Sequence, residues 1–305
     1  MTSVGSILNG AFRLFKEQPV AVAIWAALVI GYSLAISALA IGGISADFDA
    51  LRTGAISPVS AIGMGLVFGA LALLCAAVLS CAIYRAVLRP EEGGFAFLRV
   101  GADEFRMFGL YLIMIVAGIF VGVILMLFAM FAIGGSVLAS GGGAGGFGFG
   151  MLIALALLVV GIYIAVRLSL IFPMTFVRRQ ISIDEGWSLS RGNFWTLFLA
   201  YLVIWIILIV LQMVLPQAPG QVSFFETISA MRDPDALQAA QARQLDTVAS
   251  ITFMSMLPYV LISSLVQVFS NVVTNAASAT AVRELLRDQG EVLDDDINAT
   301  AQIFE

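Results

Sequence analysis

The stretch VRLSLIFPMTFVRR, residues 166–179, sets an arginine where one is costly. Arg167 follows a charge-free run from Phe149 to Val166, and ten uncharged residues separate it from Arg178 and Arg179. A guanidinium among apolar residues carries five N–H donors and a charge that stays on, so it needs acceptors. Two chemistries satisfy it. It can snorkel to the nearest interface on its long stem, or it can fork fixed acceptors or an anionic group. Eleven residues before Arg178, at 1.5 Å per residue, a continuous helix would bury it about 16 Å from that end. Pro173 would bend or loosen the helix below it.

A partner for that charge is legible near the end of the chain. The sequence SSLVQVFSNVVTNAASATAV (263–282) sets Ser263, Ser264, Gln267, Ser270, Asn271, Thr274, Asn275 and Ser278 at three- and four-residue spacing. On a helix these form one polar stripe, which hydrocarbon cannot satisfy. The stripe is expected to face the bundle interior, either as interhelical hydrogen bonding or as the lining of a polar cavity. The candidate ligand-binding residues are therefore Arg167, Ser169, Ser263, Gln267, Ser270, Asn271, Thr274 and Asn275. Ligand or substrate is not specified by these types.

Catalytic chemistry finds little to work with. There is no histidine, and the acids Glu91–Glu92, Asp103–Glu104 and Asp184–Glu185 are adjacent pairs at helix starts rather than acid/base pairs. Cys75 and Cys81 are six residues apart in one apolar run, which points them to different faces, so neither a disulfide nor a metal site is expected. The glycine run GGSVLASGGGAGGFGFG (134–150) has no lysine and no strand before it, so it is expected to be a flexible connection and not a phosphate loop. No enzyme activity, cofactor or metal is expected.

Whatever these residues do, apolar helices must position them. Of 305 residues, 61% are apolar and 11% charged, and the mean hydropathy is +1.02. A soluble domain carries about 25% charged residues, so the composition implies an all-α polytopic membrane protein. Its net charge of −5 gives no footprint for nucleic acid. Six stretches are long enough to span: 20–43, 59–84, 107–133, 149–177, 194–215 and 251–282. The first, with Ala38-Leu39-Ala40, resembles a signal-peptide cleavage site, but its apolar run is longer than a signal core. Glycine pairs Gly65/Gly69 and Gly118/Gly122 fit the spacing of close helix packing.

Basic residues orient the spans. One side carries Arg13, Lys16, Arg85, Arg89, Arg99, Arg106, Arg178, Arg179, Arg191, Arg283 and Arg287, eleven in all, against Arg52, Arg232 and Arg243 on the other. Both termini are expected in the cytoplasm. Residues 1–289 read as one six-span domain and 290–305 as an acidic tail. Three segments that precede the odd-numbered spans, 3–19, 95–108 and 182–195, read as interfacial helices about 90 residues apart, so the chain reads as a threefold repeat of helix, span, span. In the first, Val4, Leu8, Ala11 and Phe15 share a face. In the fifth connection, Asp233 and Pro234 would start a short helix over ALQAAQARQL.

The run RLSLIFP (167–173), then DEGWSLSRGNFWTLF (184–198), then AVRELLRDQGE (281–291), resembles bacterial proteins grouped with the membrane domain of glycerophosphoryl diester phosphodiesterases. Arg167, Ser169, Leu170, Pro173, Trp187, Ser188, Gly192, Asn193, Phe194 and Trp195 occupy that pattern, mainly in the C-terminal half. The resemblance implies a multi-pass protein of the bacterial inner membrane. In fused members the phosphodiester chemistry lies in a separate barrel that uses histidines and acidic metal ligands, and neither that domain nor a histidine is found in this sequence. A non-catalytic scaffold or accessory role is therefore expected, with a transporter or lipid- or anion-binding protein using a polar cavity between spans four and six as the alternative. The expected partners are membrane lipids, with a membrane-protein partner or a second copy of the chain.

Overall fold

A computed structural model describes residues 3–53, 58–139, 144–215 and 252–290. Among them every regular element is helical: α1 (Val4–Glu17), α2 (Pro19–Thr53), α3 (Pro58–Leu88), α4 (Ala102–Ala139), α5 (Ala144–Leu168), α6 (Ile171–Arg178), α7 (Ile183–Leu189), α8 (Phe194–Val214) and α9 (Phe253–Asp288), with 3₁₀ turns at Pro90–Glu92 and Phe95–Phe97. Six helical segments are long and apolar enough to cross a membrane. They coincide with the six expected spans, and the fold is that of an all-α polytopic membrane protein. The reason is backbone chemistry: in hydrocarbon an amide can bond only within its own helix.

Helix starts follow local side-chain chemistry. Ser3 accepts the Ser6 amide at 3.1 Å while Ser6 Oγ accepts the Ser3 amide at 3.2 Å, a reciprocal cap for α1. Thr252 and Ser255 repeat it at α9, with 3.3 and 3.1 Å. Gln18 separates α1 from α2 because Pro19 cannot donate and biases the residue before it away from helix.

Two of the three expected interfacial helices are present, α1 and α7. The middle one is not a separate helix. Residues 95–97 form a 3₁₀ turn, and from Ala102 the chain enters α4 and continues without interruption. The other two are cut off from their spans by Pro19 and by the Gly192–Asn193 break, and nothing comparable follows Glu104. The order short helix, span, span thus holds in the first and last thirds only. The buried face of α1 is also turned by one position from the expected face: Ile7, Ala11 and Leu14 are buried, with Val4, Leu8 and Phe15 half-buried at its edges.

The glycine run is a second correction. Instead of a flexible connection over 134–150, α4 continues to Ala139 and α5 begins at Ala144. Each glycine costs a helix about 1 kcal/mol, but unbonded amides flanked by apolar spans would cost more. The expected helix over 236–245 and the acidic tail beyond Gly290 lie outside the described residues.

The chain divides into two compact units, each assembled from separate stretches of sequence. One comprises Met1–Glu17, Leu73–Ile204 and Val273–Glu305, and the other Gln18–Ala72 and Trp205–Val272. In the first, α4 packs on α5 and α6, and α7 packs on α5 and α6. Two of its glycines leave no room for a side chain. A Cβ on Gly10 of α1 would stand 2.3 Å from Thr280 Oγ1 of α9, and one on Gly186 of α7 would stand 2.9 Å from the Ile171 backbone of α6. The glycine pairs singled out by spacing behave otherwise: a Cβ on Gly65, Gly69, Gly118 or Gly122 would meet nothing within 4 Å. Close packing therefore uses Gly10 and Gly186, and the GxxxG pairs sit on open helix faces.

Candidate functional site

Arg167 occupies the last turn of α5. The helix does not run on beneath it: Ser169 and Leu170 form a turn, and α6 begins at Ile171 with Pro173 at its third position. Proline there cannot donate to the carbonyl four residues back, which places the break at Ser169. The apolar span nevertheless continues through this turn, from Leu155 to Arg178.

α7 packs on both α5 and α6 and supplies the surroundings of Arg167. Its guanidinium lies 5.1 Å from the ring centroids of both Tyr163 and Trp187. Nη1 donates to the Trp187 carbonyl at 3.3 Å. That carbonyl is in the last turn of α7, where helix carbonyls lack intrahelical partners and the dipole favours a cation. It also accepts Ser190 Oγ–H at 2.8 Å. Arg167 is 7% exposed, its Nε–H has no acceptor, and among the described residues no carboxylate pairs with it. An aromatic chain continues from the site: Tyr163 to Phe194 at 5.0 Å, and Phe194 to Trp195 at 5.5 Å, with Trp195 exposed. Arg167, Trp187, Phe194 and Trp195 therefore lie along one run of contacts.

The polar stripe of α9 has a different fate. Ser263, Gln267 and Thr274 are exposed, Ser270, Asn271 and Asn275 half-buried, and Ser264 and Ser278 buried, so the stripe does not point uniformly inward. The buried face of this helix is lined instead by Val260, Val268, Val272, Val273, Ala276 and Ala277. Several of its polar groups bond to their own helix: Ser263 and Ser264 to the Val260 carbonyl, Asn271 Nδ2 to Gln267 O at 2.8 Å, and Ser278 to Asn275 O. Asn275 reaches another helix, accepting Tyr84 O–H at 2.8 Å. The acceptor that holds Arg167 comes from α7, not from the stripe, and Ser169 Oγ–H turns to its own helix at Val166 O.

A second polar centre escaped the sequence reading. Arg85, in the last turn of α3, is enclosed with a 3% exposed side chain and donates from Nη2 to Glu104 Oε1 at 2.7 Å and from Nη1 to the Phe97 carbonyl at 2.5 Å. Glu104, 2% exposed, also accepts the Gly101 amide at 2.9 Å, which caps α4 in the manner of a capping box. To aim its carbonyl, the 3₁₀ turn puts Ala96 (φ 53°) and Phe97 (φ 58°) in the left-handed region, which costs a non-glycine residue about 1–3 kcal/mol and persists only where surroundings over-determine it.

Around this pair the ends of four helices are tied together. Arg89 donates to Val177 O at 3.2 Å and stands 5.0 Å from the Phe176 ring. Glu92 Oε1 accepts Arg179 Nη2–H at 3.1 Å and lies 3.5 Å from Arg89 Nη1. Arg283 of α9 donates to Val87 O at 3.2 Å, and Ser6 of α1 to Glu284 at 2.6 Å. Each of these basic residues looks, in the sequence, like an ordinary positive flank of a span. Only the three-dimensional pairing separates a structural arginine from a topological one. The two cysteines are free thiols, Cys81 buried and Cys75 half-buried.

No family model, curated protein or solved structure matches this chain.

Proposed function

We propose that this chain is a non-catalytic membrane protein with a scaffold or accessory role, seated in a bacterial inner membrane with both termini in the cytoplasm. The observation that carries this reading is the use made of six carboxylates among the described residues. Glu17 pairs with Arg13, Glu92 with Arg179, Asp103 with Arg106, Glu104 with Arg85, Glu185 with Arg178, and Glu284 accepts from Ser6. Groups committed to ion pairs and caps hold helix ends together rather than exchange protons with a substrate. The resemblance of RLSLIFP and DEGWSLSRGNFW to the phosphodiesterase-associated membrane domain is in keeping with a multi-pass protein of the bacterial inner membrane. Two measurements test it. Purified protein incubated with labelled phospholipid should release no product, and turnover would contradict the non-catalytic reading. In a chain with Cys75 and Cys81 replaced by alanine, a cysteine at Ala102 should be shielded from external reagent in intact cells and one at Ala139 labelled; the reverse would overturn the orientation.

A second reading, that of a protein binding a lipid or other anion, is favoured by one observation, the unneutralised Arg167. Its site is the α5–α7 corner rather than a cavity between spans four and six.

A further inference from the structure

The second reading can be narrowed to a ligand group and a set of contacts. Arg167 is more than nine-tenths buried, yet its contacts carry no negative charge: two aromatic faces at 5.1 Å and one carbonyl at 3.3 Å. Removing an ion from water costs several kcal/mol even after relaxation. Each ring returns about 2 kcal/mol when desolvated, through its quadrupole, and leaves the net charge in place. The hydrogen bond to Trp187 O uses one of five donors, and Nε–H has no acceptor. Arg85, likewise buried in the last turn of a helix of this unit, is neutralised at 2.7 Å by Glu104. Arg167 is left one anion short.

The surroundings say which anion fits. A guanidinium fork matches two oxygens of a phosphate or carboxylate in one plane. Tryptophan and tyrosine collect where hydrocarbon meets head groups, and the corner joins Tyr163 and Trp187 to the exposed Trp195 at the start of the span Phe194–Val214. That is the level at which phospholipid phosphates lie. We propose that Arg167, framed by Tyr163 and Trp187 and steadied by the Trp187 carbonyl, binds a phosphate oxyanion, supplied by the head group of an anionic phospholipid. The inference rests on the second reading above. Gly186 contributes indirectly: with no side chain it lets α7 seat on Ile171 of α6, which sets the position of the residue that follows it, Trp187.

Native mass spectrometry of the full chain, released from nanodiscs of phosphatidylglycerol or of phosphatidylcholine, tests the proposal. Wild type should retain phosphatidylglycerol at least about tenfold over phosphatidylcholine, the discrimination that about 1.4 kcal/mol of a lost charged contact represents. Arg167→Gln should lose that preference, and Arg99→Gln, an exposed arginine outside the corner, should keep it. If Arg167→Gln does not fold, Arg167→Lys keeps the charge without the planar fork and should weaken the preference several-fold; an unchanged preference there overturns the proposal in favour of simple snorkelling. Titration with inorganic phosphate separates the sources: competition at millimolar concentration with no lipid preference assigns the site to free phosphate and overturns the lipid. Retention of phosphatidylglycerol by Arg167→Gln at the wild-type level overturns the role of Arg167 while leaving an anion site elsewhere. No preference and no phosphate binding in wild type overturns the anion-binding reading itself.

Discussion

Arg85 and Arg167 begin alike and end differently. Each sits in the last turn of an apolar helix, each is buried, and each donates to a carbonyl from a neighbouring segment, Phe97 or Trp187. Arg85 has in addition a carboxylate enclosed with it, and that carboxylate is fixed by a backbone amide. Arg167 has aromatic faces in that place. A charge neutralised inside the fold is a fastener whose value does not depend on what surrounds the protein. A charge left unneutralised makes stability depend on what the surroundings supply. The two corners therefore separate structure from interaction more clearly than any motif in the chain.

The comparison can be broken most forcefully at Glu104. Glu104→Gln would leave Arg85 enclosed beside a neutral amide, and thermal or denaturant unfolding should show a loss of about 3–5 kcal/mol, the usual cost of removing one partner of a buried pair. A loss under 1 kcal/mol would mean that Arg85 is wetter than its 3% exposure implies. Gly186→Ala should rank next. Its Cβ would meet the Ile171 backbone at 2.9 Å, and backbone cannot swing aside as a side chain can. About 1–3 kcal/mol of overpacking is expected, together with weaker anionic-lipid retention, because α7 must shift. Trp187→Leu removes one of the two rings over Arg167 but leaves its backbone carbonyl, and should cost the Arg167 corner about 2 kcal/mol while leaving the Arg85 corner unaffected. Gly118→Ala, on an open face of α4, should be neutral or stabilising by up to about 1 kcal/mol, since nothing lies within 4 Å and alanine is the better helix former. A clear loss there would show that this face is covered in the membrane after all.

The sequence made some of this legible for reasons that are physical. The six spans stand out because an 18-residue apolar run has no other use in a helical membrane protein. Arg167 stands out for the same reason, as a charge inside such a run. Its partner was misread because three- and four-residue spacing fixes which residues share a face, not where the face points: Gln267 and Asn275 share a stripe, yet one is exposed and the other accepts from Tyr84. The Arg85–Glu104 pair was invisible because its members are separated by two 3₁₀ turns, and a basic residue at the end of a span already has an explanation in orientation. Glu104 could have been flagged as the N3 residue of a capping box with Gly101, but serine or threonine is the usual signal at that cap. Glycine motifs misled in the other direction. The GxxxG pairs match a packing pattern and pack on nothing described, whereas Gly10 and Gly186, in no motif, let helices touch.

Lipid-dependent stability tests the contrast most directly. Thermal midpoints of wild type, Arg85→Gln and Arg167→Gln would be measured in nanodiscs of phosphatidylcholine and of phosphatidylglycerol. Wild type should be several degrees more stable in phosphatidylglycerol. Arg85→Gln should be strongly destabilised in both lipids, because Glu104 loses its internal partner in either, while keeping the same gap between them. Arg167→Gln should close the gap. If the gap instead survives in Arg167→Gln and disappears in Arg85→Gln, the assignment of the two arginines is the wrong way round; if all three proteins show the same gap, neither arginine answers to the lipid and the contrast has no consequence outside the fold.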